Sequence, residues 1–342
     1  MPTVSASHLP AAAPEHRGVE MPAEHPLVSI VSPVYQEEEG IEEFHRRLVA
    51  SMDGVADDVA FEVVYVNDGS TDRSLDLLEK IVADDDRVRV VDLSRNFGHQ
   101  VALSAGVDHA RGDAVVVIDS DLQDPPEVIP EMIQRWRDGF KVVYGVRTSR
   151  AGETRFKLFT SKIYYGLLDR ISEVPLPRQA GDFRLLDRKV VDVLDQMPER
   201  NRYVRGMVAW VGFPQCAVEY ERDPRYAGST KYTLARMVRL ALDGLTSFSD
   251  RPLRLATQLG VIVMALSFAV AAWTIVASVF DLGSSSRGWA SLMAVVLLLG
   301  GVQLLCIGVL GEYLGRVYRE TKGRPLYVVN EVIAPEGRDG GA

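Results

Sequence analysis

Two long apolar runs near the C-terminus limit most strongly what this chain can fold into. Residues 255–280 and residues 288–311 carry no charged side chain over 26 and 24 positions, respectively. Each run is longer than the roughly 20 residues that an α-helix needs to cross a bilayer. A pair of buried helices in a soluble domain is the alternative, but two adjacent runs of this length rarely fit a soluble core. The sequence therefore predicts transmembrane helix 1 over 255–280 and transmembrane helix 2 over 288–311.

Positive charges flank this predicted membrane hairpin. The connecting loop 281–287 holds one cation, whereas the two flanks hold Arg251, Arg254, Arg316, Arg319, Lys322 and Arg324. The positive-inside rule then places both termini and the remaining chain in the cytoplasm, at the cell membrane. Residues 231–254 are amphipathic and either lie in the membrane interface or pack on a soluble domain. We expect residues 312–342 to be a cytoplasmic C-terminal tail.

The composition argues against several other classes. Residues 1–25 lack an apolar block, so we expect a disordered tail there rather than a signal peptide. The net charge of −9 argues against nucleic acid as a partner, because such binding needs a basic face. The two cysteines, Cys216 and Cys306, are far apart in the sequence, which disfavours both a disulfide framework and a zinc site.

The first half of the chain alternates short apolar runs with amphipathic segments. Runs rich in β-branched residues predict strands at 28–34, 61–66, 88–93, 114–118 and 142–146. Helical spacing predicts helices at 38–52, 74–83 and 100–110. This alternation predicts an α/β fold with a doubly wound, mostly parallel sheet, in which ligands bind beyond the carboxyl ends of the strands. Polar clusters follow three of those ends, at 35–39, 67–72 and 119–124, and predict an active site.

The strongest chemical signal is an acidic pair after the fourth strand. Asp119 and Asp121 directly follow a wholly apolar run, and Gln123 and Asp124 add oxygen atoms in the same turn. Mg²⁺ and Mn²⁺ take carboxylate oxygens as ligands and bridge them to substrate phosphates. The acidic pair therefore predicts a divalent metal site that neutralises the charge of a departing diphosphate.

Three motifs, taken together and in order, resemble those of a known family. They are Pro33-Val34-Tyr35-Gln36-Glu37, Asn67-Asp68-Gly69-Ser70-Thr71-Asp72 and Asp119-Ser120-Asp121-Leu122-Gln123. They are similar to family-2 glycosyltransferases of GT-A fold, in the branch of dolichol-phosphate-mannose-synthase-like, polyisoprenyl-phosphate glycosyltransferases. The paired spans resemble the bacterial glucosyltransferase type of that branch. The resemblance covers residues 27–330, and it implies a GT-A domain over 26–230.

The resemblance also implies a role for each matching residue. The implied catalytic residues are Asp121 and Asp182, the second within Gly181-Asp182-Phe183-Arg184-Leu185. The implied nucleotide-sugar contacts are Pro33, Tyr35, Glu37, Asp68 and Asp119. The implied ligands of Mg²⁺ or Mn²⁺ are Asp119, Asp121 and Gln123. The residues implied to surround the lipid phosphate and the donor diphosphate are Arg147, Lys157, Ser161, Arg225 and Lys231.

Several roles stay open at this level. Asp182 either orients the acceptor, the sugar or the metal, or takes a proton; a phosphate monoester acceptor needs little help, because its second pKa is about 6. Residues 93–100 are expected to form a wall of the donor site, in which Arg95 contacts a phosphate or forms a structural ion pair. Arg202 and Arg205 are further candidate cations. The six histidines show no ligand spacing and receive no role.

The function implied by the resemblance is sugar transfer from a nucleotide donor to a polyprenyl phosphate of the membrane, with inversion at the anomeric carbon. UDP-glucose is the first expectation, and the product is a lipid-linked sugar for cell-envelope glycosylation. GDP-mannose, UDP-N-acetylhexosamines and aminoarabinose derivatives are alternative donors. Relatives imply a homotetramer.

Three other functions compete with this one. A sugar-phosphate nucleotidyltransferase usually carries a Gly-rich basic loop after its first strand, where this chain has Tyr35-Gln36-Glu37-Glu38-Glu39. An inactive membrane scaffold is disfavoured by the intact acidic set. A processive polysaccharide synthase needs more spans and a motif that Gln134-Arg135-Trp136 does not match in spacing.

Overall fold

The structure is a computed structural model that describes residues 25–148, 180–200, 202–222, 251–279 and 289–335. The described residues fall into two compact units. The first unit contains the described residues up to 222 together with 325–335, and the second contains 251–279 and 289–324. The tail 1–24 and most of the amphipathic stretch 231–254 lie outside the described residues.

An eight-stranded mixed sheet forms the first unit. Its strands are β1 (Leu27–Val34), β2 (Ala60–Asn67), β3 (Val88–Leu93), β4 (Ala114–Val117), β5 (Val142–Arg147), β6 (Ala180–Asp187), β7 (Gln215–Tyr220) and β8 (Val329–Ile333). Their order is β7-β5-β6-β4-β1-β2-β3-β8. Strands β4, β1, β2 and β3 are parallel neighbours, as are β5 and β7. Strand β6 runs antiparallel to both β4 and β5, and β8 runs antiparallel to β3.

Helices cover both faces of this sheet. The described helices of the first unit are α1 (Ile41–Asp53), α2 (Ser74–Asp84), α3 (His99–His109), α4 (Ile129–Arg137), α5 (Arg188–Asp195) and α6 (Val204–Val211). Phe44 and Leu48 of α1 pack with Ile30 on one face, while Leu103 of α3 packs with Val31 on the other. Because both faces of the sheet are covered, the central strands are mostly apolar, and β4 is wholly apolar and buried along its length. The predicted doubly wound α/β fold is confirmed.

Three strands lie beyond those that the sequence predicted. Strand β6, which carries Asp182, inserts between β4 and β5, and β7 adds the far edge. Strand β8 closes the opposite edge next to β3. A tail was expected from residue 312 onward, but the chain there continues as a helix to Thr321 and then forms β8.

The described residues of the second unit form two long helices, α7 (Arg251–Val279) and α8 (Trp289–Thr321). The Cys306 sulfur of α8 lies 3.7 Å from the carbonyl oxygen of Ala256 in α7. Within the described part of the chain, the segment Leu298–Thr321 of α8 is long and apolar enough to cross a membrane, with a mean hydropathy of 1.5 and none of that stretch buried. The apolar stretch of α7, Ala256–Val270, is shorter.

Candidate active site

The candidate site lies where the order of the parallel strands reverses, between β1 and β4. Ligands of open α/β sheets bind at this position, beyond the carboxyl ends of the strands. The buried hydroxyl of Ser120, just after β4, donates a 2.9 Å hydrogen bond to the carbonyl of Pro33 in β1. Two non-glycine residues near it, Gln36 and Leu122, have positive φ angles of 57° and 59°. Such strain is concentrated at functional sites, because the surrounding structure has to impose it.

Asp119 has the environment of a cation ligand. Its Oδ1 atom is buried and accepts no hydrogen bond. Burial raises the pKa of Asp119 to about 6, His99 opposes this shift, and the neighbouring carboxylates of Asp182, Asp124 and Asp121 add to it. A carboxylate with an unsatisfied oxygen among other carboxylates is stabilised by a bound cation.

A divalent cation therefore fits the donor atoms that the turn after β4 offers. Asp121 lies in this turn and accepts a 3.1 Å hydrogen bond at Oδ1 from the backbone N–H of Gln123, a buried residue. No group of three or more His, Cys, Asp or Glu side chains is arranged to hold a metal within the described ranges. Such a site would need oxygen atoms from the substrate, which is the usual way in which Mg²⁺ is held.

Asp124 is already paired. Its carboxylate lies 3.3 Å from the Arg147 guanidinium and accepts a hydrogen bond from the Tyr220 hydroxyl, and Arg147 Nε donates to that hydroxyl at 3.2 Å. Gly181 makes room for this arrangement, since a Cβ there would lie 3.1 Å from the Arg147 guanidinium. Arg147, which the sequence assigned to a phosphate, thus ends β5 in an ion pair. Its contact with a phosphate stays a prediction.

The carboxylate of Asp182 is held by several donors. Arg205 of α6 donates to its two oxygens at 2.7 and 3.0 Å, and Gln100 Nε2 donates at 3.1 Å. Beneath it, the buried Arg184 donates to the carbonyls of Asp182 and Gly181 at 3.2 and 2.8 Å. Burial lowers the pKa of Arg184 to about 10. Of the two further candidate cations, Arg205 therefore belongs to the site.

His99 joins the two acidic groups of the site. Its Nε2 atom lies 3.4 Å from Asp182 Oδ2 and 3.5 Å from Asp119 Oδ1. Burial lowers the pKa of His99, but the hydrogen bond to Asp182 and the charge of Asp119 outweigh it and raise the value to about 9. Burial likewise disfavours ionised Asp182, yet His99 and Arg205 hold the pKa of Asp182 well below its usual range. The ionised form of Asp182 is therefore favoured, and both of its oxygens are engaged.

Sequence reasoning gave His99 no role. The signal that was available is its position: it is the first residue of α3, directly after the loop that follows β3, so it lies at the same sheet edge as the acidic turn. Arg202, the other candidate cation, lies elsewhere. Its guanidinium donates to the carbonyl of Met197 at 3.3 Å and lies 3.9 Å from Asp108, at the far end of α3.

The loops after β1 and β2 are joined by hydrogen bonds. The backbone N–H of Gln36 donates to Ser70 Oγ at 3.2 Å, and that of Glu37 donates to Ser74 Oγ at 2.9 Å. Tyr35, next to them, is 45% exposed. The structure thus places the predicted nucleotide contacts Pro33, Tyr35 and Glu37 side by side at the carboxyl end of β1.

The loop after β3 is hydrogen-bonded to the loop after β2. The buried carboxylate of Asp68 accepts from the backbone N–H groups of Phe97 and Gly98 at 2.7 and 3.0 Å. Burial raises the pKa of Asp68, and these two N–H groups partly offset the effect. Asp68 therefore holds the third loop in place, and its predicted nucleotide contact stays a prediction.

Arg95 stacks within this third loop. Its guanidinium lies 4.0 Å from the centre of the Phe97 ring and donates to the carbonyl of Asn96 at 3.0 Å. Among the described residues no ion pair of Arg95 is seen, and its contact with a phosphate stays a prediction. The predicted phosphate-binding residues Lys157, Ser161, Arg225 and Lys231 lie outside the described residues.

Comparison with known proteins agrees with this architecture. The family model described as "Glycosyl transferase family 2" matches residues 29–194, and the one described as "GtrB C-terminal hairpin" matches residues 251–317. The Bacillus subtilis (strain 168) protein "Uncharacterized glycosyltransferase YkcC" is 48% identical over 92% of this chain and 96% of its own length. The Escherichia coli (strain K12) "Prophage bactoprenol glucosyl transferase homolog" is 42% identical over 89% and 99%, respectively. Mannosyl-3-phosphoglycerate synthase from Rubrobacter xylanophilus is a structural match with a TM-score of 0.46 and 18% identity, covering 68% of this chain and 75% of that one.

The two family models and the relatives of 42–48% identity define an enzyme of the glycosyltransferase class. The chain belongs to glycosyl transferase family 2, in the group whose members carry the GtrB C-terminal hairpin. The family predicted from the three motifs is therefore confirmed.

Proposed function

We propose that this enzyme transfers glucose from UDP-glucose to a polyprenyl phosphate at the cytoplasmic face of the cell membrane, with inversion at the anomeric carbon. Relatives named bactoprenol glucosyl transferases support the sugar and the lipid, because the chain is 42% identical to them over at least 88% of its length. UDP is the nucleotide implied by the resemblance to two-span relatives.

The proposal rests mainly on the hydrogen bonding and the lowered pKa of the Asp182 carboxylate. Its two oxygens accept hydrogen bonds from Arg205 and Gln100, and its pKa is held well below the usual range. A carboxylate in this state is a poor general base, since proton transfer is efficient when the pKa of the base lies near the working pH. An acceptor that brings its own anionic oxygen needs no such base. A phosphate monoester is such an acceptor, because it is mostly dianionic at neutral pH.

The reaction follows as a single displacement. An oxygen of the lipid phosphate attacks the anomeric carbon from the face opposite the diphosphate. The new bond forms as the bond from that carbon to the diphosphate oxygen breaks, and UDP leaves with the electron pair. Asp182, held by Arg205, stays ionised throughout and stabilises the positive charge that develops on the sugar ring. No proton is transferred in this step.

A divalent cation, Mg²⁺ or Mn²⁺, is part of the proposal. Asp119, Asp121 and Gln123 would hold it, and the unsatisfied Oδ1 atom of Asp119 supports this assignment. When bound, such a cation neutralises charge on the departing diphosphate. The protein contributes the turn after β4, in which the Ser120 hydroxyl donates a hydrogen bond to the carbonyl of Pro33.

The membrane location rests on the hairpin. The match to the GtrB C-terminal hairpin and the apolar segment Leu298–Thr321 of α8 support a membrane-anchored enzyme. An anchor confines the site to the surface where the lipid acceptor lies, which raises the effective concentration of that acceptor. The two-span topology with cytoplasmic termini, and the homotetramer implied by the resemblance, are parts of this proposal.

The test is a transfer assay with membranes that contain the full chain. UDP-glucose, UDP-N-acetylglucosamine and GDP-mannose are offered separately with undecaprenyl phosphate, and both the glycolipid and the released nucleotide are measured. We expect UDP release and a glucolipid of inverted anomeric configuration from UDP-glucose alone. A lipid glycosylated only from another donor would refute the sugar assignment, and release of pyrophosphate would indicate a nucleotidyltransferase. Asp119→Asn is the inactive control, and Asp58→Asn, an exposed carboxylate paired with Arg137, is the matched control.

A further inference from the structure

We propose that Asn330 on the C-terminal strand β8 is a positioning residue for the donor nucleotide. Its side-chain nitrogen Nδ2 donates a 2.9 Å hydrogen bond to Oδ2 of Asp92, at the end of β3. The other oxygen of Asp92, Oδ1, accepts a 2.7 Å hydrogen bond from Asn67 Nδ2, at the end of β2. A single carboxylate therefore joins the C-terminal strand to the strand that precedes the loop 67–72.

The same hydrogen-bonded chain continues into the loops. Asn67 Oδ1 accepts from the backbone N–H of Ser70 at 3.2 Å, and Ser70 Oγ accepts from the backbone N–H of Gln36 at 3.2 Å. Asn67 and Asp92 are 1% and 6% exposed, so water has little access to replace the bond between them. The hydrogen-bond network thus connects β8, through side chains of β3 and β2, to the loop after β1, which carries Tyr35 and Glu37.

This hydrogen-bond network fixes the orientation of the Asn67 side chain. An asparagine side chain has a donor end and an acceptor end, and only one orientation lets Asn67 donate to a carboxylate while it accepts from Ser70 N–H. Asp92 specifies that orientation because an ionised carboxylate only accepts. Asn330 in turn holds Asp92 from the opposite side, in a hydrogen bond strengthened by the charge of the carboxylate.

A local irregularity of β8 brings Asn330 to this position. In the antiparallel ladder, Asp92 pairs with Glu331 and Leu93 pairs with Val329, so Asn330 is the extra residue of a β-bulge. Bulges are frequent next to active sites, where they change the direction of a side chain.

The consequence rests on the proposed function, since the loops after β1 and β2 are the proposed nucleotide contacts. Loss of the Asn330 hydrogen bond should loosen these loops without changing Asp182, which acts on the sugar, or Asp119, which would hold the cation. The expected result is weaker binding of UDP-glucose with an unchanged chemical step. A residue needed only for folding would lower the amount of active enzyme instead, and KM would stay the same.

The kinetic test compares Asn330→Ala with Val332→Ala, which shortens another exposed side chain of β8. We expect Asn330→Ala to raise the KM for UDP-glucose about threefold to tenfold, the range of one hydrogen bond, with kcat within about twofold of the unaltered enzyme. Val332→Ala should leave both unchanged. The double variant Asn330→Asp with Asp92→Asn exchanges donor and acceptor and keeps both bonds, so it should recover most of the lost KM. An unchanged KM in Asn330→Ala, or a loss in kcat alone, would overturn the proposal.

Hydrogen exchange tests the same idea without any substrate. The backbone N–H groups of Ser70 and Gln36 should exchange about threefold to tenfold faster in Asn330→Ala than in Val332→Ala. Equal exchange in the two variants would overturn the positioning role. If the unaltered enzyme transfers no glucose, the proposed function fails, and the exchange rates still decide whether Asn330 holds these loops.

Discussion

The Asp182→Asn substitution tests whether Asp182 acts as a hydrogen-bonded anion or as a general base. In the structure Asp182 accepts from Arg205 at 2.7 and 3.0 Å and from Gln100 at 3.1 Å, and His99 lies 3.4 Å away. Asparagine removes the charge and turns one acceptor oxygen into an NH₂ donor, which then faces donors. Arg205 and His99 lose the negative partner that neutralises them.

The size of the effect follows from the burial of the pair. Removal of one partner of a buried ion pair costs about 3–5 kcal/mol. The Asp182 side chain is 9% exposed, but that of Arg205 is 32% exposed, so water screens part of the loss. We therefore expect a decrease of about 2–3 kcal/mol in the free energy of unfolding of the catalytic unit. For a domain of this size such a decrease lowers the melting temperature by roughly 4–12 °C.

The assay is thermal unfolding of the full chain in detergent, followed by near-ultraviolet circular dichroism, together with the transfer assay. We expect Asp182→Asn and Arg205→Ala to lower both melting temperature and kcat, with the double variant no worse than the more damaging single one, because the two residues act as one unit. The pair of Asp58 and Arg137, in which the Asp58 side chain is 61% exposed, supplies the control, and Asp58→Asn should melt within about 2 °C of the unaltered protein. If Asp182→Asn melted normally yet lost about a thousandfold in kcat, while Arg205→Ala stayed active, Asp182 would be a base and the reasoning would fail.

Three further predictions test other parts of the account. Excess chelator, or Asp119→Ala with Asp121→Ala, should abolish UDP release, and Mg²⁺ or Mn²⁺ should restore it in the chelated enzyme only; full activity in chelator would refute the metal site. Gly69→Ala should lower the melting temperature more than Gly98→Ala, although both glycines have positive φ. A Cβ at Gly69 would lie 2.5 Å from the backbone of Arg95 and Asn96, whereas a Cβ at Gly98 would meet nothing within 4 Å. Equal melting temperatures of the two variants would contradict this prediction. Leu304→Asp, in the exposed apolar segment of α8, should disfavour membrane insertion by about 3 kcal/mol, read as loss from carbonate-washed membranes; undiminished retention would argue against a spanning helix.

The central part of the fold could be predicted because its signal is local. Strands β1 to β4 are largely buried, and each appears in the sequence as a short run rich in β-branched residues, with polar exceptions such as Ser29, Glu62 and Arg89. The polar clusters that follow the strands lie at one sheet edge because the strands are parallel. The added strands β6 and β8 depend on antiparallel pairing with distant segments, and nothing near them in the sequence specifies that pairing.

The candidate site also has a part that the sequence predicts and a part that depends on the tertiary fold. The pairing of Val117 with Arg184 brings the residues just beyond them, among them Asp182, to the edge that carries Asp119. The roles of individual charges depend on such neighbours. Asp182 and Asp119 favour the charged form of His99, and Arg147 at the end of β5 pairs with Asp124 in the turn after β4. These partners are distant in sequence, so the residue types alone could not reveal which groups would be charged or engaged.

The position of β8 in the chain has a consequence for biosynthesis. Translation produces α7 and α8 before β8, so the ribosome completes the hairpin while the β3 edge of the sheet is still unpaired. An unpaired edge is a template for association with other chains. Strand β8 covers this edge, and it brings Asn330, whose side chain donates a hydrogen bond to Asp92. A newly made molecule therefore finishes its catalytic domain only after its hairpin has been synthesised, so a chain that stops before β8 retains an open edge and lacks the side chain that bonds to Asp92.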